Sequence, residues 1–286
     1  METPINTDLD IDLAKVKLTE YGYVLLPNLI DREAATQMAE RLKELSLRRA
    51  DSANPFRHLG NLFNHLEPDE CDSFLPLITN PVVLSLAHHV LGEGFQAIGS
   101  SVAWTKPGTQ ASGIHGDVPM GWFAEHSRPF PENICFIVQC NWMLTDFTRE
   151  NGATELLPMS HRLGIPNMWP DENGDFHFMN EQVKKLRAEL EGGDPSNRLV
   201  AAEGSAGSAV VFLGGMWHRS GANVTADEDR VGVLTPYHAR WVEPGWGLGI
   251  KDSLLKREVR DRMPAHVQEM SWHVTEDYPD RDDYPN

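Results

Sequence analysis

From residue 94 onward the chain is written as short β-rich runs divided by Gly, Pro and Asn, and this punctuation limits the fold more than any other feature. The runs are FQAIGSSVAWTK (95–106), ICFIVQCNWMLTDF (134–147), ATELLP (153–158), NRLVAAEG (197–204), SAVVFLG (208–214) and RVGVLTPYHARWVEP (230–244), with one helical insert, EQVKKLRAELEGG, among them. Strands at this spacing without intervening βαβ helices predict an antiparallel sandwich or jelly roll, whose mouth can hold a ligand between inward-facing side chains. The N-terminal third has a different grammar. Residues 8–20 and 31–47 are predicted helices, the second capped by Asp31 and carrying Ala35, Met38, Leu42 and Leu45 at helical spacing, with a buried strand in YGYVLLP between them. NPVVLSLAHHVLG (80–92) has Asn80 as cap, Pro81 at the first position and Gly92 beyond the end. Its His88 and His89 project about 100° apart on a helix and suit packing or solvent rather than a shared metal. The expected organisation is one domain over 1–286: helical support in 1–93, a jelly-roll core with an insert in 94–244, and a C-terminal extension in 245–286.

Charge and cysteine content narrow the class of protein. With 42 Asp+Glu against 25 Lys+Arg, a net charge of −17 repels phosphate backbones and anionic headgroups, so neither nucleic acid nor a membrane surface is an expected partner. Three cysteines, Cys71, Cys135 and Cys140, form no disulfide framework and fit a reduced, cytoplasmic protein. The N-terminus lacks the basic start and apolar run of a secretory signal, and no stretch approaches eighteen uninterrupted apolar residues. The acidic, proline-bearing tail DYPDRDDYPN is expected to lie loosely on the surface. Oligomeric state is not legible.

The stretch GIHGDVP (113–119) sets His115 and Asp117 two positions apart, on one face if the segment is extended. His218, in GGMWHRSGANVTADEDR, follows 103 residues after His115 behind the apolar run SAVVFLG. A jelly roll brings such positions together when its first and last inner strands are neighbours. Two imidazoles and one carboxylate leave adjacent coordination positions open, as in non-haem Fe(II) oxygenases, whereas a closed structural zinc site wants a fourth ligand. Arg230, twelve positions beyond His218, can fork onto a carboxylate, and Ser220, on the face of His218, can add a hydroxyl. A cupin-like isomerase or a non-catalytic ligand-binding jelly roll would need neither of these two.

MLTDFTRENGATELLPMSHR (143–162), together with HGD, WHRSGAN and Arg230, closely resembles the phytanoyl-CoA hydroxylase-like family of Fe(II)/2-oxoglutarate dioxygenases, over most of the chain from YGYVLLPNLI to ARWVEP. The resemblance implies a double-stranded β-helix, iron held by His115, Asp117 and His218, and the distal carboxylate of 2-oxoglutarate held by Arg230 and Ser220. It further implies reaction with O2, release of succinate and CO2, and oxidation of a substrate C–H bond, with hydroxylation the default. Gln139 and Thr154 match positions that help seat the cosubstrate; ordinary sheet packing explains them equally well. Where the family has PGSH this chain has PMSH at 158–161, so Met159 replaces a glycine that accepts positive φ without strain. His161, Asn151 and Gly152 are assigned structural roles.

Substrate contacts are expected from loops at the barrel mouth. Residues 118–133 carry Met120, Trp122 and Phe123, and residues 163–178 carry Met168 and Trp169. These side chains suit either the rim of a pocket for an apolar small molecule or the closure of a core beneath long loops. Arg128 is the one fixed positive charge in the two loops, against Glu125, Glu132, Asp171, Glu172 and Asp175. Such a rim disfavours a polyanionic coenzyme A thioester, unless Arg48, Arg49 and Arg57 lie nearby.

Overall fold

The computed structural model describes residues 9–48, 59–97, 99–117, 134–163, 185–186, 188–190, 198–242 and 254–277. Helix α1 (Ile11–Tyr21) starts where Asp10 accepts the Leu13 N–H at 2.9 Å, and ends at Gly22, whose φ of 87° suits glycine. Strand β1 (Tyr23–Leu26) follows, then α2 (Arg32–Arg48), which buries Ala35, Met38, Leu42 and Leu45 as their spacing requires. Two short helices, α3 (Cys71–Phe74) and α4 (Pro76–Thr79), precede α5 (Pro81–Leu91). The Asn80 side chain accepts from the Val82 and Val83 N–H groups, and Pro81 occupies the first turn. Cys71–Leu91 taken together is long and apolar enough to cross a membrane. Pro76 and the Asn80–Pro81 step divide it, however, and Phe74, Leu77, Ile78, Val82, Val83 and Leu86 are buried in the main core.

Among the described residues, nine strands form two sheets. Besides β1 these are β2 (Gln96–Ala97), β3 (Ser101–Thr105), β4 (Ile137–Met143), β5 (Thr154–Leu156), β6 (Val200–Ala201), β7 (Ala209–Leu213), β8 (His218–Ser220) and β9 (Arg230–His238). The larger sheet runs β1-β7-β4-β9-β2 with β3 also on β9; the smaller runs β6-β5-β8; these strand pairs are all antiparallel. The run 95–106 thus splits into β2 and β3, which pair with opposite ends of β9. Pro236, which has no N–H to give, falls in the interval between those two pairings. Run 197–204 contracts to two strand residues, and 239–242 leaves the sheet.

Both faces of the larger sheet are covered, so β4 and β7 are buried throughout. Ala209, Val211 and Leu213 of β7, with Val138, Cys140 and Trp142 of β4, pack on the helices. The alternate residues Val210, Phe212 and Met143 pack toward the smaller sheet. Trp142 Nε1 donates to Leu77 O at 2.9 Å and Tyr237 OH to Ile78 O at 2.8 Å, which satisfies two buried polar tips and ties α4 to the sheet. Helices α6 (Arg257–Arg260) and α7 (Ala265–Met270), absent from the sequence reading, bring Val259, Met263 and Val267 into the same core. Of the predicted helical insert, residues 185–186 and 188–190 are helical and the rest lies outside the described residues. All three cysteines are free thiols.

Candidate metal centre and cosubstrate pocket

His115 and Asp117 are not on a regular strand. Their shared orientation comes instead from two tethers, one to the start of β8 and one to the turn before it. His115 and His218 exchange backbone hydrogen bonds of 2.9 and 2.8 Å in an isolated bridge, and the Asp117 N–H donates to Gly214 O at 2.6 Å. A Cβ at Gly214 would stand 2.2 Å from the Asp117 carbonyl oxygen, so this approach requires glycine.

The tethers gather three side chains. Donor atoms of His115, Asp117 and His218 all lie within 4.8 Å of one another, with His218 Nε2 at 3.3 Å and His115 Nε2 at 3.8 Å from the carboxylate. Each Nδ1 lies 2.9 Å from a backbone carbonyl two residues earlier, Gly113 O for His115 and Met216 O for His218. A carbonyl only accepts, so Nδ1 carries the proton in both rings and Nε2 presents its lone pair toward Asp117. Gln139, inward on β4, donates Nε2 to Asp117 Oδ2 at 2.6 Å. The side chains are 5% (His218), 19% (Asp117) and 37% (His115) exposed, so the cluster opens to solvent on the His115 side. Phe212 closes the opposite side, its ring 4.7 Å from that of His218. Two neutral imidazoles and one carboxylate, preoriented and open on one side, fit a divalent iron.

Arg230 begins β9 opposite Thr105 of β3. Its guanidinium is buried, donates to Thr105 Oγ1 at 2.5 Å and Ser220 Oγ at 2.9 Å, and lies 4.8 Å from the Phe147 ring centre. Its Nε has no hydrogen-bond partner, and no carboxylate pairs with the guanidinium among the described residues. Burial alone pulls its pKa down to about 10. No ion pair joins Arg230 to its sequence neighbours Asp227, Glu228 or Asp229 among the described residues; Asp229 instead faces Lys43 at 3.5 Å. A buried cation without an anion is costly unless a ligand supplies one.

Thr154 Oγ1 accepts from Asn141 Nδ2 at 3.2 Å, and Thr154 pairs with Ser220 across β5 and β8. Gln139 Oε1 and Asn141 Oδ1 are buried without partners, so the sheet leaves polar capacity unused beside the cluster. Met120, Trp122, Phe123, Met168 and Trp169 lie outside the described residues, as do Arg49 and Arg57, while Arg48 ends α2 in an ion pair with Glu44.

Several supporting residues were missed in the sequence. Thr105 shares the Arg230 guanidinium, Ser160 Oγ accepts the Trp217 N–H at 2.8 Å, and Asn223 Nδ2 bonds both Thr105 O and Glu228 O. Single hydroxyls and amides in turns carry no pattern of their own. His238, at the far end of β9, is buried with Nδ1 unpartnered; burial pushes it down to about 3, with Asp117 opposing. The turn at Met159 does take φ 66°, the glycine-like conformation expected there.

Residues 18–232 match the family model described as phytanoyl-CoA dioxygenase (PhyH). The chain belongs to this phytanoyl-CoA dioxygenase family. It is therefore an enzyme of the dioxygenase class, with the mainly antiparallel, helix-flanked fold expected from its strand pattern. Dioxygenase af480 of Aspergillus fumigatus is 27% identical over 273 residues, covering 92% of this chain and 77% of the relative. The Fe(II)/2-oxoglutarate-dependent dioxygenase nvfF of Aspergillus novofumigatus is 27% identical over 173 residues, covering 57% of this chain and 49% of that protein. The PhyH-family chain thus spans about three quarters of one relative and about half of the other. A crystal structure of the epimerase SnoN with Fe3+, alpha ketoglutarate and nogalamycin RO is similar in fold, with a TM-score of 0.53 at 20% identity over 80% of this chain and 83% of that one.

Proposed function

We propose that this chain is a non-haem Fe(II)/2-oxoglutarate-dependent dioxygenase that oxidises, by default hydroxylates, a C–H bond of a small, largely apolar metabolite. The observation that carries this reading is Arg230, a buried guanidinium with no anion beside it among the described residues, on the same wall as the His115, Asp117 and His218 cluster. Ser220, which touches Arg230, lies two residues beyond His218 on β8. Two residues of strand span about 7 Å, the reach needed for a five-carbon diacid with one end at the cluster and the other on Arg230. Neither a cupin-like isomerase nor a passive binding protein needs that fork.

His115 Nε2, His218 Nε2 and an Asp117 oxygen would hold the iron, and Gln139 keeps the carboxylate turned toward the two rings. Arg230, Ser220 and Thr105 would fix the distal carboxylate of 2-oxoglutarate, while Asn141, Thr154 and the free Gln139 carbonyl line the space between. Iron and cosubstrate, when bound, supply an oxidant from O2 with release of succinate and CO2. The chain contributes orientation, and its apolar wall at Phe212 and Phe147 keeps water from the buried side. A neutral substrate is supported by the acidic balance of residues 118–133 and 163–178.

The test is succinate release with Fe(II), 2-oxoglutarate and O2 across uncharged terpenoid, polyketide and alkaloid-like compounds and a fatty acyl-CoA. Substrate-dependent succinate with an uncharged compound is the expected result. A preference for the acyl-CoA would overturn the substrate class, and failure to bind 2-oxoglutarate at all would overturn the reaction class.

A further inference from the structure

Strand β9 turns one face to the helices and the other to the metal centre. Val231, Val233 and Tyr237 pack into the helix-side core, so by alternation Arg230, Gly232, Leu234, Pro236 and His238 face the smaller sheet. The strand is central, paired with β4 along one edge and with β2 and β3 along the other. Even so, Leu234 and Pro236 are partly exposed, while Val231, Val233 and Tyr237 are wholly buried. The face that carries Arg230 and His238 is therefore not packed shut between them.

These two residues flank the metal cluster, eight positions apart on β9, or about 26 Å of strand. Gln139, which donates to Asp117, pairs with Pro236. Gly214, whose carbonyl accepts the Asp117 N–H, donates its own N–H at 2.7 Å to the carbonyl of Ile137, the β4 partner of His238. The cluster thus lies on the His238 side of the strand's middle, and the cosubstrate pocket at Arg230 occupies the other end.

His238 is 6% exposed, and its Nδ1 is buried without a hydrogen-bond partner among the described residues. Its neighbours across the sheet do not supply one: Ile137 is apolar, and Gln96 gives its side-chain N–H to Val242 O at 2.7 Å. Burial holds the ring uncharged, against the pull of the Asp117 carboxylate. A buried polar atom left unpaired costs the fold stability, and one on an open wall beside a metal cluster is a place for a ligand group. The ring's chemistry selects that group. An anion would meet an uncharged ring with Asp117 nearby, and a ketone pairs only with an N–H. A hydroxyl donates and accepts, so it pairs with this nitrogen in either tautomer.

We propose that His238 positions the substrate: its imidazole hydrogen-bonds a hydroxyl of an otherwise apolar compound and holds the C–H bond to be oxidised at the metal on the side away from Arg230. This rests on the dioxygenase reading above and narrows its substrate class to neutral alcohols.

The probes are borneol, farnesol and cedrol, each beside its deoxy hydrocarbon, bound by equilibrium dialysis to the full chain loaded with Mn(II) and saturating 2-oxoglutarate. At least one alcohol is expected to bind the parent. His238→Leu should weaken that alcohol about tenfold or more and its hydrocarbon less than about threefold. His238→Asn, which restores a polar group near the Nδ1 position, should recover most of the loss, and 2-oxoglutarate affinity should stay parental in both variants. Equal losses for alcohol and hydrocarbon, or an unchanged alcohol affinity in His238→Leu, would overturn the proposal. So would loss of 2-oxoglutarate binding in that variant, which would put the ring in the cosubstrate pocket. A parent that binds 2-oxoglutarate but none of the three alcohols overturns this proposal alone, whereas a parent that does not bind 2-oxoglutarate overturns the dioxygenase reading with it. Should His238→Leu not fold, His238→Phe carries the same comparison.

Discussion

Replacing Arg230 by methionine separates stability from cosubstrate binding, because the two depend on the same charge in opposite ways. Burial draws the guanidinium well below its ordinary value, to about 10, a penalty of roughly 3 kcal/mol. Against it stand the hydrogen bonds to Thr105 and Ser220, about 1 kcal/mol each, and the Phe147 face, about 1 kcal/mol. These nearly cancel, so Arg230→Met should unfold within about 1 kcal/mol of the parent when no cosubstrate is present. With 2-oxoglutarate the balance changes. Removing one partner of a buried ion pair costs about 3–5 kcal/mol, or roughly 150- to 4000-fold in affinity. Calorimetric titration of 2-oxoglutarate into Mn(II)-loaded parent and variant reads the second quantity, and urea unfolding of the metal-free proteins reads the first. Affinity within about threefold of the parent, with metal still bound, would show that the carboxylate is held elsewhere.

Gln139→Met removes the 2.6 Å bond that turns Asp117 toward the histidines and should weaken metal binding about 10- to 100-fold, measured by competition with a chelating dye. Met159 holds φ 66° with its side chain 47% exposed, so Met159→Gly should gain about 0.5–1 kcal/mol in urea unfolding. His238 is held at about 3 against an ordinary 6.5, so it stays neutral in the fold while the unfolded chain takes up a proton below 6.5. Stability therefore falls as pH drops from 6.5 toward 3, and in metal-free protein His238→Gln should remove roughly 2 kcal/mol of the loss between pH 7.5 and pH 5; equal losses in parent and variant would refute this.

The strand grammar carried the fold because alternation and turn residues act locally. The capped helix at Pro81–Leu91 and the apolar stripe of α2 lie within a residue or two of their sequence boundaries for the same reason. His115, Asp117 and His218 were legible as a set, but the reason given for the first two was incomplete. Their common orientation arises from the His218 bridge and the Gly214 carbonyl, contacts about a hundred residues distant that no local periodicity records. That no carboxylate among the described residues pairs with Arg230 was likewise invisible, since Asp227, Glu228 and Asp229 are its nearest acidic neighbours in sequence, and Asp229 pairs with Lys43 instead. Helices α6 and α7 are too short to show a period, and their burial depends on neighbours distant in sequence, β2 beside α7 among them.

The most direct test of the central claim is anaerobic addition of Fe(II) and then 2-oxoglutarate, followed by visible absorption. The account predicts one iron per chain and a charge-transfer band that needs both additions, is lost in His115→Ala and His218→Ala, and in Arg230→Met appears only at much higher 2-oxoglutarate. A parent chain that binds iron but develops no band at saturating 2-oxoglutarate, or a band that survives both histidine substitutions, would contradict it.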